Sequence, residues 1–130
     1  MAGIEGPSGD DEQYVYRIST VDEWEELQKS GFIFGGELDK STGCFHLSKL
    51  DQVQSTLQNF FLNTKIELYL LQVDAKELGD GLVYERVDES NVFPHFYGPS
   101  RSFAPLPFTA VKKAEKITLS DGKFSCSLFD

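Results

Sequence analysis

The chain carries two histidines, His46 and His95, and both sit among apolar neighbours. His46 lies between Phe45 and Leu47, and His95 between Pro94 and Phe96. In extended backbone, successive side chains point to opposite faces, so each imidazole faces away from its neighbours. Such a ring can bond a ligand hydroxyl or phosphate, or simply satisfy a nearby carbonyl. Arg17, in the middle of a β-forming run, is either an exposed edge cation or a bidentate clamp on phosphate or carboxylate. Glu85, in a later β-forming run, is a surface or ion-paired acid; in a cleft it could hold a ribose hydroxyl or stabilise developing positive charge. Ser48 follows His46 closely, and Tyr97 offers a stacking face and a phenol.

No stronger chemical signature is present. There is no HExxH, no Cys/His pair at ligand spacing, no P-loop, no GxGxxG and no GxSxG, so no metal is expected. Cys44 and Cys126 are far apart and read as two reduced thiols. Gly35-Gly36 signals a turn and nothing more.

The elements that must hold these residues can be read from periodicity. Residues 1–12 combine glycines, Pro7 and acids without apolar rhythm, as expected of an acidic, disordered tail. Residues 13–130 form one α+β domain. Tyr14 to Ile18 is a strand with Tyr14, Tyr16 and Ile18 on one face and Val15 and Arg17 on the other. Thr20 caps a helix with Glu23 at capping-box spacing, and Gly31 stops it. The acids Asp22, Glu23, Glu25 and Glu26 read as a solvated helix face with no catalytic role. Residues 31–44 read as a long, partly extended connection. Phe45 to Leu47 is a short strand, after which Ser48 caps a second helix carrying the apolar stripe Leu50, Val53, Leu57, Phe60 and Phe61. Ile66 to Val73 is nearly continuously apolar and should be central, buried on both faces. Leu82 to Val87 is a strand whose buried face stays open. Val92 to Pro99 has two prolines in its span and reads as an ordered aromatic loop, because proline disfavours helix and central strand alike. Val111 to Leu119 turns through Ser120-Asp121-Gly122-Lys123 into a hairpin. Two main helices and consecutive late strands favour an α+β fold with a mixed, mostly antiparallel sheet.

Composition limits the functions available. Of 130 residues, 40% are hydrophobic and 11 are Phe, ample for one core. The formal charge of −9 argues against general nucleic-acid binding and against anionic membrane surfaces, while leaving room for a local nucleotide pocket. No apolar run is long enough to span a membrane, and the acidic start lacks signal-peptide character, so the chain reads as cytoplasmic.

Four blocks carry a family resemblance: Tyr16-Arg17-Ile18-Ser19-Thr20 with Glu23-Trp24-Glu25, Gly43-Cys44-Phe45-His46-Leu47-Ser48, Leu70-Leu71-Gln72-Val73-Asp74, and Phe93-Pro94-His95-Phe96-Tyr97-Gly98-Pro99. Together they resemble the bacterial and plant family called domain of unknown function 952, over roughly Tyr14 to Glu115. That family is similar in fold to ADP-ribosyltransferases, which hold NAD between two small sheets. The resemblance implies Arg17 as a first-strand anchor, His46 and Ser48 as a ribose-binding pair, Glu85 as the catalytic acid, and His95 or Tyr97 as a wall of the pocket. The chain departs from the family pattern in having Arg17 where histidine is usual and Leu47 where cysteine is usual. The leading expectation is thus a small NAD- or nucleotide-binding protein that transfers ADP-ribose, with Glu85 and His46 catalytic. The alternative is a non-catalytic binding module that uses the Phe93–Pro99 block on a ligand or protein, and a third reading makes that block purely structural.

Overall fold

The computed structural model describes residues 13–129. The acidic tail expected over residues 1–12 lies outside them. Chain order begins with β1 (Tyr14–Thr20), α1 (Val21–Ser30), β2 (Phe32–Ile33), α2 (Glu37–Thr42), β3 (Phe45–His46) and α3 (Leu50–Phe60). It continues with β4 (Leu68–Asp74), α4 (Ala75–Leu78), β5 (Leu82–Arg86), β6 (Val92–Phe96), β7 (Leu106–Pro107), β8 (Val111–Ser120) and β9 (Lys123–Ser125). The strands form a four-stranded sheet in the order β9-β8-β4-β1, a three-stranded sheet β3-β6-β5, and the pair β2-β7. All of these pairings are antiparallel. The α+β class and antiparallel bias expected from the sequence therefore hold, with two short helices, α2 and α4, added to the two long ones.

β4, an internal strand of the large sheet, is buried on both of its faces. Leu71 and Val73 point into one core with Val15, Leu27, Phe45 and Phe96. Leu68 and Leu70 point into the other with Tyr16, Val53 and Leu57. Val53 and Leu57 come from the α3 stripe, so α3 covers one face. The alternation read in β1 is seen directly: Tyr16 enters the second core while Val15 and Arg17 face the other way.

Local signals set most boundaries. Thr20 Oγ1 accepts the Glu23 N–H at 3.1 Å, and Gly31 ends α1 in the left-handed region at φ 91°. The β8–β9 hairpin turns on Asp121 and Gly122, both at positive φ, which suits a tight two-residue turn between twisted strands.

Three expectations need correction. First, Ser48 does not cap α3. Its N–H and C=O are both bonded to Tyr16, each at 2.8 Å, which holds Ser48 in a bridge with β1. Lys49 holds the cap position instead, with its N–H donated to Gln52 Oε1 at 2.8 Å. Second, residues 31–44 are no plain connection, since they contain β2 and α2. Third, Val92–Phe96 is a strand, and the middle one of its sheet. The Pro94 carbonyl accepts the Leu47 N–H at 3.1 Å, so its missing N–H faces Leu47, and the proline removes only the return bond of this pair, just past the end of the two-residue β3.

The Tyr16–Ser48 bridge decides where the site lies. It ties the first strand of the large sheet to the start of the small one, and brings Arg17 beside His46.

Candidate functional site

Arg17 is 8% exposed and spends all five N–H donors inside the protein. Nε and Nη2 bond the two oxygens of Glu23 at 3.0 and 2.7 Å. Nη1 and Nη2 bond the two oxygens of Asp39 at 3.0 and 2.8 Å. Nη1 also reaches the His46 carbonyl at 3.2 Å, and the guanidinium carbon stands 5.1 Å from the centre of the Phe45 ring. Burial by itself would lower the Arg17 pKa; the bonds and charge of Glu23, then Asp39, outweigh it and raise the pKa. Asp39 in turn accepts the backbone N–H groups of Gly36 and His46, at 2.8 and 2.9 Å. Burial pushes its carboxyl upward, but Arg17 and those amides prevail and hold it below the ordinary value. The turn glycines make this contact feasible. A Cβ on Gly35 would come within 2.6 Å of Asp39 Oδ2, and Gly35 itself sits at φ 80°.

His46 and His95 stand opposite each other in the β3–β6 pair, so both side chains share one face. Their ring centres are 4.7 Å apart with planes at 64°. Thr42 Oγ1 donates to the Leu38 carbonyl at 2.7 Å, so at 2.8 Å from His46 Nε2 it accepts the ring proton. That leaves His46 Nδ1 as an acceptor. Desolvation, then the proximity of His95, lowers the His46 pKa and favours the neutral ring.

His95 Nδ1 lies 2.7 Å from Glu85 Oε1, which also accepts the Tyr97 hydroxyl at 2.7 Å, while Arg101 bonds Oε2 at 2.5 Å. The Tyr97, His95 and Arg101 bonds bring the Glu85 pKa down to about 2. The carboxylate is thus ionised near neutrality and can only accept, so His95 Nδ1 is the donor and Nε2 the free acceptor. Tyr97, bonded to this carboxylate, has its phenol pKa raised. Arg101 stacks 4.2 Å over the Tyr97 ring from a turn in which Ser100 and Arg101 both hold positive φ, a costly conformation for side-chain-bearing residues.

Arg17, His46, Ser48 and His95 line one cavity of about 1020 Å³, roomy for a small ligand. Its walls are mainly apolar: Ile18 from β1, Phe34 and Leu38 around α2, Phe60 and Phe61 at the end of α3, and Phe93 from β6. Several of these, Phe34, Leu38 and Phe60 among them, are exposed at its mouth. Glu85 and Tyr97 do not line it; they hold the far side of His95.

The sequence profile of a family described as "Protein of unknown function (DUF952)" matches residues 18–114. The chain belongs to this family. The matched span takes in His46, Ser48, Glu85, His95 and the Phe93–Pro99 block, and begins one residue after Arg17. Two solved structures of the Caulobacter crescentus protein CC0527 are similar. The crystal structure has 29% identity and a TM-score of 0.74 over 86% of this chain and 93% of that one. The solution structure has 28% identity and a TM-score of 0.70 over 86% and 90%. No curated protein matches the chain. Among the described residues no group of three or more His, Cys, Asp or Glu could hold a metal ion, and no helix is long and apolar enough to cross a membrane.

Two roles expected from the sequence do not survive this geometry. Arg17 has no donor left for a phosphate, because two carboxylates and a carbonyl take all of them. Glu85 does not share the cavity with Arg17 and His46. Glu23 is not simply a solvated acid; it folds back on Arg17. Asp39 was missed altogether. Its signal was present, since an acid three residues after Gly36 has capping-box spacing.

Proposed function

We propose that this chain binds one small organic molecule in the cavity, with His46 and His95 as its polar contacts. The observation that carries the proposal is the pairing of the two imidazoles. They face each other at 4.7 Å, both line the cavity, and each keeps one ring nitrogen free of partners among the described residues. A largely apolar pocket with a few convergent polar groups is the usual form of a small-molecule site.

NAD binding and ADP-ribosyl transfer, on an ADP-ribosyltransferase-like fold, form a second and stricter reading. The shared cavity position of His46, Ser48 and His95 favours it. The saturation of Arg17 and the position of Glu85 weigh against it, so the binding reading leads. Titration with NAD, followed by amide chemical shifts, tests both. Shifts at His46, Ser48 and Phe93 that vanish in His46→Ala support the nucleotide form. Their absence up to millimolar NAD removes it and leaves the broader proposal to be tested with other ligands.

A further inference from the structure

The cavity has a charge sign as well as a shape. Five carboxylates line it, against two cations, Arg17 and Lys40. The Arg17 charge is consumed by Glu23 and Asp39, which outnumber it. Asp22, Glu26 and Glu37 are exposed around the mouth, with Lys40 as their counter-charge. An anion entering here meets net negative potential and finds no free guanidinium donor.

The hydrogen-bonding character at the polar end has the same sense. His46 gives its Nε2 proton to Thr42 and retains a lone pair on Nδ1. His95 gives its Nδ1 proton to Glu85 and retains a lone pair on Nε2. Both cavity-lining imidazoles thus keep an acceptor, and an occupant that bonds them must donate. The remaining wall, with Phe34, Phe60, Phe61 and Phe93, asks for an apolar body and offers aromatic faces to a cation.

We infer that the ligand is an organic cation: an apolar or aromatic body carrying a protonated amine whose N–H groups bond the histidine pair. This rests on the binding reading above and narrows it to one chemical class.

Three probes of matched shape test it on the full chain: 4-phenylbutylamine, 4-phenylbutan-1-ol and 4-phenylbutyrate, cationic, neutral and anionic at pH 7.5. Each is titrated at low salt while the amide shifts of His46, Ser48 and Phe93 are followed. The amine should bind about tenfold more tightly than the alcohol, and the acid more weakly than either. The amine's advantage should shrink in ~1 M salt, where the Debye length falls to about 3 Å. In the double variant Glu26→Gln, Glu37→Gln, at two exposed positions, amine affinity should drop severalfold while alcohol affinity holds. Alcohol and amine of equal affinity, or an acid that binds best, would overturn the charge assignment while leaving the cavity a binding site. If no probe shifts any cavity residue, the binding reading falls and this inference with it.

Discussion

Replacing Arg17 by methionine should be among the most damaging single changes in this chain, and its cost should depend on pH. The substitution keeps a long, unbranched side chain but removes five hydrogen bonds and the cation between Glu23 and Asp39. Glu23, whose side chain is 13% exposed, can turn toward water. Asp39, at 5%, cannot; it keeps only the amides of Gly36 and His46. Breaking a buried ion pair from one side costs about 3–5 kcal/mol, and partial relief through Glu23 places this case at the lower end, about 3 kcal/mol at pH 7. With an m-value near ~2 kcal/mol/M, the urea midpoint should fall by about 1.5 M. Trp24 is the sole tryptophan and packs near Tyr69 and Phe108, so its fluorescence reports the transition. In the parent protein the Asp39 carboxyl is held below 3.8, so its contribution is present above that pH and is lost as pH falls through the folded value. In Arg17→Met burial dominates instead and favours protonated Asp39. The deficit relative to the parent should therefore narrow between pH 7 and about pH 4. The triple variant Arg17→Met, Glu23→Gln, Asp39→Asn should recover at least half of the loss, because it strands no buried charge. A loss below about 1 kcal/mol at pH 7, or one that does not change with pH, would refute this account of the cluster.

Glu85 should titrate near pH 2 rather than at the ordinary 4.5 when its carboxyl carbon is followed by NMR, and Tyr97→Phe, which removes the largest cause, should move the midpoint upward. A parent midpoint at 4.5 contradicts the triple hydrogen bonding described here. The His46 ring should titrate below its ordinary 6.5, since burial and then His95 oppose its charge. The unfolded chain then takes up that proton first, so His46 contributes stability above pH 6.5 that is lost as pH falls below it; a ring titrating above 6.5 would contradict this. Gly81→Ala would put a Cβ 2.1 Å from the Tyr97 carbonyl oxygen, so the β5–β6 backbone must shift. A cost of about 1–3 kcal/mol is expected, and an unchanged thermal midpoint would show that the strands separate freely.

Local chemistry decided much of the fold in advance. The two faces of β1, the burial of β4, the apolar stripe of α3, the Thr20 cap and the Asp121-Gly122 turn all depend on contacts within a few residues or on simple alternation, so the sequence displays them. It also displays the candidates His46, Ser48 and His95, because polar residues inside apolar runs stand out wherever they fold. What the sequence could not display is pairing. The strand character of Phe93–Phe96 depends on pairing with β3 and β5, where Pro94 still accepts the Leu47 N–H and forfeits only the return bond. Ser48 is taken from the helix by Tyr16, more than thirty residues earlier in the chain. The partners of Arg17 are decided by distance in space: Glu23 from a helix that looked solvated, and Asp39 from a segment that looked irregular. The sequence by itself singled out the two histidines as polar residues inside apolar runs. Only the tertiary structure decided that Arg17 is already occupied, that Glu85 holds His95 from behind, and that the histidines meet ring to ring. These outcomes follow from non-local backbone bonds, whose register no short stretch of sequence specifies.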